Sequence, residues 1–267
     1  MSILTKITPS GLNDSMRFVF NNFEIKLVEN EQEYDETLRL RYEVFNIEMG
    51  EGLSSSSETG RDEDQYDPYC DHLIVKSIED NNKIVGTYRF MRKEAAENGI
   101  GFYSELEFDL SKLKETGEEI IELGRSCVHK DFRSKNVMSY LWAGLAKLID
   151  EAGAKYLFGC GSIHSDNVNT ISSIFRYFKE KHYSDEYHRV YPKKGFEVKG
   201  LNPYIEVENA KEVFRSIPPI LKGYIRLSAQ CCGEPAWDPE FGCADLFILL
   251  DTKKITKKYS DHFFRNV

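Results

Sequence analysis

Apolar and polar positions alternate from Phe23 to Val28, the period of a strand with one buried face. The period then changes. Tyr34, Leu38, Tyr42 and Phe45 recur at helical spacing, with Leu40 and Val44 beside them, and predict a helix over 31–45. Arg39 and Arg41 fall near its end, where cations suit the helix dipole. Residues 72–79 and 84–92 predict two strands joined by Asp80-Asn81-Asn82 as a hairpin turn. Residues 102–108 predict an irregular connection with Leu106 and Phe108 tucked inward, and 119–128 a central strand. A helix follows over 136–152, with Val137, Leu141, Leu145 and Leu148 on one face and Gly153 as its stop. Residues 155–162 predict a strand. Residues 167–182 predict a helix with Ile171, Ile174, Phe175 and Phe178 inward. After an irregular aromatic stretch, Ser216 is placed to cap a helix that starts at Pro218-Pro219 and runs to about Cys232. Residues 244–250 predict the last strand.

This order points to an α/β chain around a mixed, mostly antiparallel sheet flanked by helices. We expect an N-terminal arm over 1–24 and one domain over 25–267, in which 200–243 is a helical segment that returns to a final strand. No GxGxxG or GxxxxGK[ST] occurs, which argues against a doubly wound nucleotide fold.

Composition narrows the function. The 267 residues are 41% hydrophobic and 30% charged, as in an ordinary globule, and the formal net charge of −9 disfavours a nucleic-acid partner. No secretion signal or membrane-spanning run is visible, so a cytoplasmic protein is expected, with peripheral contact at the inner face of a membrane left open. Cys70, Cys127, Cys160, Cys231, Cys232 and Cys243 are therefore expected as reduced thiols. Cys160 and Cys243 are expected in the core, and Cys231-Cys232 packing within a helix. No CxxC or HxxxH spacing suggests a metal site.

Three stretches carry candidate chemistry. Residues 48–71 hold eight acids (Glu48, Glu51, Glu58, Asp62, Glu63, Asp64, Asp67, Asp71) against one base, Arg61. Either a solvated mobile segment or a functional loop fits this pattern, and we favour the latter. In Glu122-Leu-Gly-Arg125, a bulge at Gly124 brings Glu122 and Arg125 to one side and frees backbone N–H groups that can polarise a carbonyl; an edge-strand ion pair is the plainer alternative. Residues 129–136 put Lys130, Arg133, Lys135 and a histidine at a helix start, which suits an anion. Lys211, Arg215, Lys222 and Arg226 form a basic stretch in an acidic chain.

Strand, basic turn, helix, strand, helix resembles the GNAT acyltransferase superfamily, whose turn holds the pyrophosphate or pantetheine arm of a thioester donor. In place of Gln/Arg-x-x-Gly-x-Gly/Ala this chain has Arg133-Ser-Lys-Asn136-Val-Met138, without the small residues. That departure favours a donor carried by acyl carrier protein over coenzyme A. A closer resemblance is to the autoinducer-synthase-like branch, through Arg41-Tyr-Glu-Val44-Phe45, Asp64-Gln-Tyr-Asp67, Arg89 and Glu122-Leu-Gly-Arg125 in that order. Within it the chain looks most like the ornithine-lipid and N-acyl amino acid synthases, often labelled haemolysin-like. ELGRSCVHKDFRS, YLFGCGSIH, PPILKGYIRLSAQCCGEPAWDPEFGCADLFILLD and YSDHF carry that likeness.

The resemblance implies a GNAT-like fold and an N-acyltransferase of lipid biosynthesis. It would move a 3-hydroxyacyl group from acyl carrier protein to the α-amine of an amino acid, with ornithine favoured over glycine. The acidic loop leans the same way, since it suits a cationic acceptor. Glu122 is the expected base, with Arg125 fixing it or the acceptor carboxylate. Arg41, Phe45, Asp64, Asp67 and Arg89 are expected around the acceptor, although the aspartates could instead pair with Arg41 and Arg89. Cys127, Val128, Arg133 and Ser134 are expected along the phosphopantetheine arm, and Lys222 and Arg226 at a carrier-protein docking face. No bound cofactor is expected. A Cys127 nucleophile is the competing mechanism. A coenzyme A-dependent acetyltransferase of small amines and a non-catalytic, haemolysin-like membrane-active protein are the competing functions.

Overall fold

A computed structural model describes residues 16–53 and 55–254. Residues 1–15 of the expected arm and the YSDHF block lie outside the described residues. Two compact units emerge, residues 16–102 with 121–154 and residues 103–120 with 155–254.

In the first unit β1 (Phe18–Phe20), β2 (Phe23–Leu27), β3 (Asp71–Ser77), β4 (Lys83–Arg92) and β5 (Ile120–Val128) lie side by side, each pair antiparallel. Asn21-Asn22 and Asn81-Asn82 turn the chain between strands with positive φ, which asparagine tolerates better than most residues. α1 (Glu31–Tyr42) starts at Asn30, whose Oδ1 accepts the Glu33 N–H at 2.9 Å. It does not stop at Phe45. It passes directly into a π-helix, Glu43–Met49, which ends at Gly50 in the left-handed region.

α2 (Val137–Ala152) ends at Gly153 (φ 63), the predicted stop. It lies close on the sheet because two facing positions lack a side chain. A Cβ on Gly86 would collide with Val137, and one on Gly144 with Leu73. Val28, Leu40, Val44, Ile74, Ile84 and Cys127 form one continuous core cluster. Burying a side chain such as Leu40 contributes on the order of 2 kcal/mol.

In the second unit β6 (Tyr156–Ile163) runs antiparallel to β9 (Cys243–Asp251) along its whole length, from Ala244 opposite Ile163 to Asp251 opposite Tyr156. β9 also pairs with β7 (Gln230–Cys231) and β8 (Ala236–Asp238). Asp238 closes the β8–β9 turn by accepting the N–H groups of Glu240 (2.7 Å) and Phe241 (3.1 Å). α3 (Val168–Lys181) follows Asn167, whose side chain caps it, and buries Ile171, Ile174, Phe175 and Phe178 as its period predicts. α4 (Ala210–Ser216) and α5 (Pro219–Arg226) are separate helices.

Two expectations are corrected here. The helix expected to reach Cys232 stops at Arg226; Ser228 takes a left-handed conformation (φ 70), and Cys231 joins β7 as a sheet partner of Ile248. Leu106 points outward, at 43% exposure, because a 3₁₀ turn over Tyr103–Leu106 puts Ser104 inside instead; Phe108 is buried as expected. Short helices over Lys93–Asn98 and Ser111–Glu115 have too few turns to produce a readable period. All six cysteines are free thiols. Cys243 is buried and Cys160 only half-buried.

Candidate active site

Arg41, one residue before the end of α1, has no exposed surface. Its Nε and Nη2 donate to Asp62 Oδ1 at 2.8 and 2.6 Å. Nη1 and Nη2 donate to Asp67 Oδ1 and Oδ2 at 2.6 and 3.2 Å. From β4, Arg89 Nη1 donates to Asp64 Oδ1 at 2.7 Å and Asp67 Oδ1 at 3.0 Å. From β5, Arg125 brings Nε to 3.4 Å from Asp62 Oδ1 and Nη2 to 3.5 Å from Asp64 Oδ2, and its guanidinium lies over the Phe45 ring at 5.9 Å.

Three cations and three anions thus alternate, each nearly or fully buried. Removing one charge from such a lattice leaves its partner unsolvated, which is why the set behaves as a unit. Burial alone would raise the Asp67 carboxyl, but Arg41 and Arg89 outweigh it and hold Asp67 well below the usual carboxylate range. Asp64 is likewise lowered, burial notwithstanding, by Arg89. Beside them burial pushes His72 down to about 4, so it is neutral near pH 7.

The acidic stretch is therefore bolted in place. Asp62 N–H donates to Leu38 O (3.1 Å), Asp64 N–H to Asp67 Oδ2 (2.7 Å) and Tyr66 N–H to Asp64 Oδ1 (2.8 Å). Asp62, Asp64 and Asp67 face arginines of the same chain, which is the internal-pairing alternative. These three carboxylates therefore give no support to the lean toward a cationic acceptor that the sequence drew from this loop.

β5 is bulged where the sequence placed a bulge, with one difference. Thr87 pairs with Cys127 and Arg89 with Gly124, so two residues of β5, Arg125 and Ser126, stand opposite Tyr88 alone. Arg125, rather than Gly124, takes the left-handed conformation (φ 47). Glu122 is 6% exposed on the same strand. Burial, then Glu122, then Asp64 raise the Tyr66 phenol to about 12. Asp62 and Tyr66 are the cluster members that the sequence pattern did not single out. Asp62 was one acid among eight, and only its contact with Arg41 distinguishes it.

The basic turn after β5 is differently arranged from a free anion site. Arg133 Nη1 and Nη2 grip Glu48 of the π-helix at 2.5 and 2.7 Å, and Nε donates to Val128 O at 3.2 Å. Lys83 Nζ stands 2.9 Å from His129 Nε2. Ser134 is exposed, and Asn136 begins α2 in the left-handed region without a side-chain cap. The Cys127 thiol packs in the core cluster, and burial pushes it up to about 12. Only the backbone of Cys127 can meet a donor, and its thiol is no thiolate at neutral pH.

In the second unit Lys211, Arg215 and Arg226 are exposed. Lys222 is half-buried, donates to Arg215 O at 2.8 Å and lies over the Phe214 ring at 5.5 Å. Its ammonium thus fastens α5 to the end of α4.

Residues 40–143 match the acetyltransferase (GNAT) domain family model. The chain is 32% identical over 251 residues to an L-ornithine N(alpha)-acyltransferase of Brucella abortus, covering 91% of this chain and 89% of that one. It is 32% identical over 252 residues to an L-ornithine N(alpha)-acyltransferase of Rhodobacter capsulatus, covering 92% and 96%. The fold is similar to that of FeeM, an N-acyl amino acid synthase from uncultured soil microbes, with a TM-score of 0.52 at 10% identity over 89% of this chain and 97% of that one.

Proposed function

The chain belongs to the L-ornithine N(alpha)-acyltransferase family, and from that premise we propose that it moves a 3-hydroxyacyl group from acyl carrier protein to the α-amine of ornithine. N-acyl transfer follows from the family. The choice of ornithine is carried by the near end-to-end likeness to the two relatives named for that acceptor. The carrier-protein donor is supported by Asn136 and Met138 where small residues would wrap a coenzyme A pyrophosphate, and by the exposed Lys211, Arg215 and Arg226 in a chain of net charge −9.

In this reading the neutral α-amine attacks the thioester carbonyl, the C–S bond breaks, and the products are an amide and the free phosphopantetheine thiol. Glu122 receives the amine proton, directly or through water, and a proton from solution ends on the thiol. The bulged backbone at Gly124 to Cys127 holds the carbonyl oxygen as charge builds there. Arg125 lies three residues along β5 from Glu122, and Arg89 lies on β4 two positions from Met91, the partner of Glu122. Asp64 and Asp67 set their positions, with Arg41 behind them and Phe45 under the Arg125 guanidinium. Val128, Arg133 and Ser134 lie along the donor arm, and Arg133 reaches a phosphate after releasing Glu48.

Purified protein is tested with 3-hydroxyacyl carrier protein and either ornithine or glycine, with acyl-coenzyme A as the alternative donor and mass spectrometry as the readout. N-acylornithine from the carrier protein is expected. A glycine product in preference, or equal rates with acyl-coenzyme A, overturns the acceptor or the donor assignment respectively.

A further inference from the structure

Asp62 is a buried carboxylate that none of the acyltransferase motifs includes. It has no exposed surface. Its N–H donates to Leu38 O at 3.1 Å, which ties it to α1. Its Oδ1 accepts both Nε (2.8 Å) and Nη2 (2.6 Å) of Arg41, so side chain and backbone are fixed to the same helix. The same Oδ1 stands 3.4 Å from Arg125 Nε. Its Oδ2 is buried and accepts no hydrogen bond among the described residues. A carboxylate so poorly solvated acts strongly on the cations beside it, Arg41 first and Arg125 second.

Arg125 needs such an anchor. It has φ 47 in the middle of a strand, a region that L side chains other than asparagine and aspartate enter only where the surroundings over-determine them. Asp64 meets Arg125 at the far end of the guanidinium, through Nη2 at 3.5 Å, and its shorter contact, 2.7 Å, is to Arg89. Asp62 Oδ1 faces Nε, the guanidinium nitrogen closest to the backbone, as an ion pair at 3.4 Å and not as a hydrogen bond. A contact there restricts the whole side chain, whereas a contact at Nη2 leaves its torsions room to compensate.

We propose that Asp62 is a positioning residue that holds Arg125 in the left-handed bulge of β5 and so sets the backbone that faces the acyl carbonyl. The second half rests on the reading of the bulge given under the proposed function. Asp62 does not touch the reacting atoms. It transmits the position of α1, through Oδ1, to the strand.

The test is Asp62→Asn in the full chain, which keeps an oxygen for Arg41 and removes the charge. Backbone chemical shifts of Gly124, Arg125 and Ser126 in labelled protein report the bulge; kcat and KM with 3-hydroxyacyl carrier protein report the chemistry. Displaced shifts at these three residues, and a kcat about tenfold lower with donor KM within twofold, are expected. In an Arg125→Gly background, where glycine takes the left-handed region unaided, the same substitution is expected to change kcat less than twofold. Unchanged shifts in folded Asp62→Asn overturn the positioning role. Displaced shifts with unchanged kcat uphold it and overturn the bulge as the carbonyl site. Should Asp62→Asn not fold, Arg125→Met and Arg125→Gly decide. Anchoring by Asp62 predicts that methionine displaces the Ser126 shifts and glycine keeps them; a methionine variant with native shifts overturns it.

Discussion

Glu122 and Cys127 sit on one strand, five positions apart, and are suited to opposite fates. The Cys127 thiol is enclosed by Val28, Leu40, Val44, Ile74 and Ile84, with burial raising it to about 12. Cys127→Ala should therefore leave kcat within about threefold, and loss of more than tenfold with native stability would restore covalent catalysis. Glu122 is 6% exposed, and its charge helps to raise the Tyr66 phenol. Glu122→Gln should lower kcat by at least about 10²-fold, the usual range for a proton-transfer group, with the donor KM little changed. A product assay with 3-hydroxyacyl carrier protein and ornithine reads both variants. His72 supplies a separate residue-scale prediction. Its folded pKa is about 4 against an ordinary 6.5, so between these values the unfolded chain binds a proton that the folded chain refuses. Stability should fall as pH falls through that window, by about 3 kcal/mol at its lower end. Below it, Asp64 and Asp67 add their own loss as they are protonated. Denaturant melts of native protein and His72→Gln from pH 7 to 4 check this, since the variant should show a flatter dependence.

At the scale of elements, α1, β4, β5 and the 62–67 loop are held together by charge as well as by apolar contact. Arg41 is the knot: it belongs to α1 and binds both Asp62 and Asp67. Arg41→Ala should cost about 3–5 kcal/mol, because two carboxylates stay buried without their cation. An unfolding free energy from chemical denaturation lowered by less than a third of that would show that the loop can leave the cluster cheaply. The sequence made Arg41, Asp64, Asp67, Arg89 and Arg125 visible in the correct order but left open whether the aspartates meet substrate or arginine. Periodicity assigns a residue to a face of its own element and carries no information about which face of another element comes opposite. The same limit explains the helix wrongly extended to Cys232. Ile220, Tyr224 and Leu227 keep a helical period, but beyond them Cys231 N–H donates to His182 O, Cys232 N–H to Phe247 O and Ser184 N–H to Cys231 O, which draws the chain into the sheet.

For the whole molecule, the net charge of −9 makes an acidic carrier protein an unfavourable partner except where bases collect. Lys211, Arg215 and Arg226 are exposed and available for that contact, whereas Lys222 is engaged with Arg215 O. Arg215→Glu with Arg226→Glu should raise KM for acyl carrier protein about tenfold with kcat unchanged and leave the rate with acyl-coenzyme A as it was. Equal effects on both donors in steady-state assays would remove the docking assignment. No helix among the described residues is long and apolar enough to cross a membrane. What the sequence by itself determined is what depends on near neighbours: the longer strands and helices, Gly153 and Asn167 at helix ends, and the family through ordered motifs such as Glu122-Leu-Gly-Arg125. Only the tertiary structure decided which charges meet, that Arg125 and not Gly124 bends the strand, that Glu48 covers Arg133 and that Asp62 belongs with the cluster. These depend on side chains up to 85 residues apart, as Glu48 and Arg133 are, brought within hydrogen-bonding distance by packing that no local pattern encodes.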